Sequence, residues 1–134
     1  MADANLRQRD FETALYDFWA SFGLMAWDEN SVDPDAMKLS GGHYITYNVV
    51  NAAPYAPRPL GANLWYRDFS WTAIDQKAQQ IFRRIGLGGI KIPFDRGDIW
   101  ITRGAGTFSQ RLADDDDTIR RIYINVMAED LTSD

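Results

Sequence analysis

At 134 residues, with 46% apolar and 13% aromatic side chains, the chain is long enough for a real core and too apolar for disorder. A net charge of −5 and a pI near 4.7 argue against a primary nucleic-acid binder, which would show a basic face. The absence of cysteine excludes disulfides, thiolate catalysis and cysteine metal sites together. One domain over residues 1–134 is the simplest organisation. No apolar run approaches a membrane span, and the N-terminal MADANLRQRD lacks the apolar centre of a secretion signal, so a soluble, cytoplasmically made protein is expected.

Phe11, Ala14, Leu15, Phe18, Trp19 and Phe22 recur at helical spacing and predict an amphipathic helix ended by Gly23. Residues 24–27 suit a short strand, and the acidic, turn-rich DENSVDPDAMKLSGG reads as a loop. HYITYNVV at 43–50 is a strand with Ile45, Tyr47 and Val49 on one face. Three prolines in residues 51–60 preclude continuous sheet pairing and predict a loop or semi-rigid arm.

Residues 63–103 carry most of the pattern. Leu64, Tyr66 and Asp68 alternate with Trp65, Arg67 and Phe69, as in a strand with two unlike faces. The period then becomes helical, with Ile74, Ala78, Ile81, Phe82 and Ile85 forming one apolar stripe. Thr72 is placed to cap this helix, Asp75 suits its positive end, Arg83 and Arg84 its negative end, and Gly86 stops it. Ile90, Ile92 and Phe94, then Ile99 and Ile101, mark two strands, and Asp95-Arg96-Gly97 between them makes a hairpin.

After Arg103, residues 104–117 show little periodicity and considerable length, a loop of the kind that tends to be functional or mobile. Residues 118–127 form the last strand, with Ile122, Ile124 and Val126 toward the core, and the acidic tail frays. The fold class that follows is α+β: a mainly antiparallel sheet of five or six strands packed against two amphipathic helices on one face.

No catalytic constellation emerges. His43, the one histidine, opens a strand after Gly42 and reads as a sheet-edge residue. Asp114, Asp115, Asp116 and Asp117 lack the spaced ligands, glycine and distant glutamate of a calcium loop, and suit a solvated tip. Gly86, Gly88 and Gly89 follow a helix instead of preceding one, so they aim no helix N-terminus at a phosphate. Arg103, Gln110 and Arg111 suit exposed salt bridges or, alternatively, docking between subunits.

The succession SWTAIDQKAQQIFRRI, GGIKIPFDRGDIWITRG and FSQRLADDDDTIRRIYINV resembles the tail terminator or tail completion proteins of long-tailed bacteriophages. The amphipathic N-terminal helix and the Tyr-rich HYITYNV agree with it, and residues 25–41 and the Pro-rich segment carry it least. The resemblance implies a structural virion protein without enzymatic activity or cofactor, assembled in the host cytoplasm and carried in the tail or neck. Such proteins form a homo-oligomeric ring, commonly a hexamer. The ring caps the tail tube, docks to the head connector and lets DNA pass without specific binding. On this reading Arg103, Phe108, Gln110, Arg111 and Leu112 engage a neighbouring subunit or the tube, and Asp114, Asp115, Asp116 and Asp117 form an acidic tip on the lumen. Another neck or head-completion adaptor is the near alternative, and a small ligand-binding domain or hydrolase the distant one.

Overall fold

The computed structural model describes the backbone of residues 2–49, 57–94, 97–104 and 106–132, and the side chains of those ranges from Gln8 to Leu131. In chain order the elements are α1 (Ala2–Ala20), β1 (Met25–Asp28), α2 (Ala36–Leu39), β2 (His43–Tyr47) and β3 (Arg58–Arg67). There follow α3 (Thr72–Ile85), β4 (Ile90–Phe94), β5 (Gly97–Arg103), β6 (Ser109–Leu112) and β7 (Ile119–Thr132). The fold is α+β. Its sheet has seven strands, more than the five or six expected, in the order β1-β2-β3-β7-β5-β4 with β6 also on β7. β1 pairs parallel to β2, and the other pairs are antiparallel.

β7 is the axis of the sheet. Ile122, Ile124 and Val126 alternate inward along it and are buried, as the period of the sequence requires; the tail expected to fray instead continues the strand to Thr132, paired with β5 and with Ala128 buried. One edge pairs with all of β3, from Ile119 opposite Arg67 to Ala128 opposite Arg58. The other edge is shared by β5 and β6. Here the expectation of one long loop over residues 104–117 is corrected. Gly104 donates its N–H to the Asn125 carbonyl, and the Asn125 N–H donates to the Phe108 carbonyl. The chain therefore leaves β7 opposite Asn125 and rejoins it at once, so β6 continues the line of β5 after a short excursion. Gly104 is needed there, because a Cβ would stand 2.5 Å from the Asn125 Cγ.

The Pro-rich segment needs a second correction. Residues 50–56 lie outside those described, but Arg58, Pro59 and Leu60 are strand residues paired with β7. The Gly61 carbonyl and the Arg67 N–H both face β2, bonding Asn48 and Gly42. Odd-numbered residues of β3 thus point their backbone groups that way. Pro59 shares this parity but lies beyond Ala62, the last β3 residue paired with β2 among the described residues, so its missing N–H takes nothing from that described ladder.

Two smaller corrections concern helices. The acidic segment expected to be all loop contains one helical turn, α2, in which Ala36 is buried. The cap of α3 sits one residue early: Trp71 is the N-cap, Thr72 is already helical, and its N–H donates to the Ser70 hydroxyl. Gly86 ends α3 at φ 71°, as expected. The Asp95-Arg96 part of the expected turn is outside the described residues. The strands it joins do pair as a hairpin, with Phe94 opposite Gly97.

Both long helices pack on one face. Phe11, Leu15, Phe18, Trp19 and Phe22 from the α1 segment and Ile74, Ala78, Ile81 and Ile85 from α3 share one core with the inward residues of the sheet. Phe18 meets Trp19 and Phe22 edge-on, and Phe11 meets Phe94 of β4 the same way at 5.6 Å. The Lys77 ammonium donates to the Phe22 carbonyl at 2.7 Å and ties α3 to the end of the α1 segment.

Phe82 departs from its expected place in this stripe. It lies partly buried at the margin, with the Arg103 guanidinium carbon 3.4 Å above its ring and Phe108 edge-on at 5.1 Å. Phe82→Ala is therefore expected to cost about 2 kcal/mol, below the roughly 3–5 kcal/mol of a fully buried aromatic, as read by urea unfolding.

Tyr47 gives the fold a pH dependence. Its phenol is buried, and burial followed by the negative field of Asp28, with lesser contributions from Tyr16, Glu12 and Asp17, pushes its pKa up to about 12. The folded state thus holds a proton that the unfolded chain releases near pH 10. Stability from this source is complete below pH 10 and is lost as pH rises toward 12. Burial also raises Tyr66, and burial with Asp114 raises Tyr44. Tyr47→Phe should accordingly flatten the alkaline limb of a stability–pH curve without abolishing it.

Candidate assembly surfaces

The residues of one sheet face point into the helix layer; those of the other build a continuous aromatic surface that neither α1 nor α3 covers. Register sets Trp27 beside Thr46, Tyr44 beside Trp65, and Trp65 beside Arg121 across β1, β2, β3 and β7. Trp27 meets Tyr44 edge-on at 5.6 Å, and Tyr44 stacks on Trp65 at 6.0 Å with rings 12° apart. The Arg121 guanidinium stands 4.7 Å over Trp65. Polar atoms beneath are satisfied from above: Trp65 Nε1 donates to Thr46 Oγ1, and Arg121 Nε donates to Asn63 Oδ1, each at 3.0 Å. The next residue inward is Gly61, where a Cβ would collide with the Tyr123 ring. The surface is thus a row of stiff aromatic plates fixed by hydrogen bonds, the composition of a protein contact. Strand alternation in HYITY and NLWYR was the sequence signal for it, though only register shows that four strands align their rings.

The sequence-predicted contact residues divide between the two faces. Gln110 and Leu112 lie opposite Tyr123 and Arg121 and belong to the open face. Arg103, Phe108 and Arg111 belong to the helix side and have partners within the chain. Arg103 Nη2 donates to the Phe82 carbonyl at 3.0 Å, and Phe108 packs on Phe82. Arg111 pairs with Asp75 at an exposed position, 4.7 Å over the Trp71 ring. The five residues are neighbours in sequence and not one patch in space.

Asp114, Asp115, Asp116 and Asp117 form the turn between β6 and β7. The turn is stapled by its own carboxylates: the Asp116 N–H donates to Asp114, and both the N–H and hydroxyl of Thr118 donate to Asp116. Those two bonds from Thr118, with Arg67 nearby, hold the Asp116 carboxyl below the usual carboxylate range. Arg67 Nη1 also donates to Thr118 Oγ1, and Arg120 Nη1 donates to the Asp117 carbonyl.

His43 rests on the Tyr66 ring at 4.2 Å, a contact between neighbouring strands of the sheet. Among the described residues no three His, Asp or Glu side chains are grouped to hold a metal ion, and no helix is long and apolar enough to cross a membrane. Three strands offer an unpaired outer edge among the described residues: β1, β4 and β6.

No family model matches the chain, and no curated protein matches it. Solved structures do. A protein from the virion of a native gene transfer agent particle superposes with a TM-score of 0.58 at 16% identity, over 95% of this chain and 96% of that one. A second protein, whose name says nothing of its function, gives a TM-score of 0.60 at 15% identity over 97% and 96%. At such identities the likeness is one of fold, and it runs from end to end of both chains. This chain has the fold of a component of a gene transfer agent virion.

Proposed function

We propose that this chain is a structural virion protein that forms a ring, caps the phage tail tube and joins it to the head connector. The observation that carries the reading is the end-to-end likeness to a gene transfer agent virion component, covering 95% and 96% of the two chains. The family resemblance of the sequence points the same way independently. The open aromatic face and the unpaired strand edges supply the kind of surface that an assembling subunit needs. The ring, a hexamer on this reading, works by contact alone, with no cofactor or reaction of its own. A chain carrying −5 overall lets DNA pass without adhering.

The test is native mass and electron microscopy of the purified protein, alone and with tail-tube protein. A six-fold ring seated at the tube end is expected. A monomer that neither binds the tube nor enters particles sinks the proposal. A ring that binds only the connector makes the chain a neck adaptor instead.

A further inference from the structure

The molecule has two unlike ends. Phe69, between β3 and α3, is 80% exposed, yet the turn presenting it is fixed on both sides. The Asp68 N–H donates to the Thr118 carbonyl, Arg120 Nη2 donates to the Phe69 carbonyl at 2.8 Å, and the Ser70 N–H donates to Asp68 Oδ1. A large ring held out in water on a pinned turn loses little further freedom on docking. Its turn is bonded through Asp68 to Thr118, the residue that follows Asp114, Asp115, Asp116 and Asp117, so the acidic turn lies at the same end of the molecule. Arg67, Arg111 and Arg120 are cations at this end: Arg67 and Arg120 hold the turn, and Arg111 pairs with Asp75 over the Trp71 ring.

The other end holds an apolar groove of about 210 Å³ between α1 and β4, walled by Phe18, Ile90, Ile92 and Pro93. An apolar cavity of about 150 Å³ already accepts benzene, so a phenyl ring fits. Arg84 and Lys91 stand on its rim, with Asp17 as the one acid among its lining residues. Ile92 pairs with Ile99 and Ile99 with Asp130, whereas the acidic turn precedes Ile119. Knob and groove are thus separated by about 35 Å of strand along β7.

We propose that Phe69 of one copy docks in the Phe18–Ile92 groove of the next, steered by the acidic turn of the first and Arg84 and Lys91 of the second. The occupant is a second copy because the knob and groove match in size and their surroundings in charge. A knob at one end and a groove at the other make a head-to-tail contact, the type that closes a ring. The proposal rests on the ring reading above and specifies its interface. It places the acidic turn at the rim of a subunit contact, a different position from the channel wall expected from sequence. Its carboxylates stay wet there, and high salt should weaken assembly.

Two full-length variants test the contact: Phe69→Ser, and Arg84→Glu combined with Lys91→Glu. All three positions are exposed, so circular dichroism should match the parent, and only the charge variant should melt a few degrees lower, because Arg84 is lost from the negative end of α3 and from the Phe22 ring. Each variant alone should remain monomeric under the conditions, tube protein included, in which the parent assembles. Mixed, they share one intact contact and should stop at a 1:1 dimer of twice the monomer mass. Assembly of either variant alone as in the parent overturns the contact and leaves the ring reading standing. So does a ring that forms with Phe69→Ser but no longer binds the tube, which would make the tube protein the occupant. A parent chain that assembles under no condition removes both proposals.

Discussion

Trp19→Ala is expected to destabilise the protein by about 3–5 kcal/mol, a large part of the total stability of an ordinary domain. Trp19 is fully buried and is gripped by Phe18 at 4.9 Å and Phe22 at 6.5 Å. Its loss removes the largest fully buried side chain of α1 and leaves a cavity beside Phe18, which meets it edge-on, and Phe22, which is tilted against it. A fall in melting temperature on the order of 10–20 °C should follow. The companion variant is more diagnostic. Trp19 Nε1 is buried and finds no hydrogen-bond partner among the described residues, an arrangement that costs about 1–3 kcal/mol. Trp19→Phe removes that donor together with some volume, so its cost should be well under half that of alanine. Equal losses for the two variants in urea unfolding would show that the indole N–H is satisfied in solution.

Gly89→Val is the second large effect, about 2–5 kcal/mol. Gly89 has φ 82°, where a β-branched residue carries about 1–3 kcal/mol of strain. The added Cβ would also lie 2.7 Å from the Ile101 carbonyl oxygen and 2.6 Å from Trp100 Nε1. Neither can move freely: Ile101 is in the β5 ladder, and the Trp100 indole donates to the Gly88 carbonyl at 3.0 Å, closing the α3–β4 turn. Overpacking against backbone adds its own penalty of about 1–3 kcal/mol. Gly88→Ala is the control. A Cβ there meets nothing within 4 Å, so thermal melting should barely change. A neutral Gly89→Val would mean that the turn re-forms elsewhere, which loss of the Trp100 hydrogen bond would reveal as altered indole fluorescence.

These two positions also mark how far the sequence could be read. The glycines after α3 were legible as a stop, since Gly86 follows the last member of the Ile74–Ile85 stripe. That Gly89 must be bare was not, because what crowds it comes from Trp100, Ile101 and Thr102 on the neighbouring strand. The same holds for the assembly surfaces. Arg103, Phe108, Gln110, Arg111 and Leu112 cluster in sequence, but strand alternation sends Gln110 and Leu112 to one face and Arg111 to the other. The aromatic row takes one residue from each of several strands, and the turn that presents Phe69 is joined to the residue after the acidic turn only through the Asp68–Thr118 hydrogen bond.

By itself the sequence determined the faces. The 3.6 period of α1 and α3 and the alternation in β2, β5 and β7 selected Leu15, Trp19, Ile81, Ile45, Ile101, Ile122 and Ile124 as core, and all are buried. That property is local, since each side chain's direction follows from its neighbours' backbone geometry. Tertiary structure alone decided who pairs with whom: β7 between β3 and β5, β1 parallel to β2, β6 as a resumption of β5, and Pro59 taken into β3 opposite Met127. Ladder bonds join backbone groups that are nearly the same in every residue, so the chain carries little local record of them. Their partners are fixed only when burial of all the apolar faces together selects one arrangement.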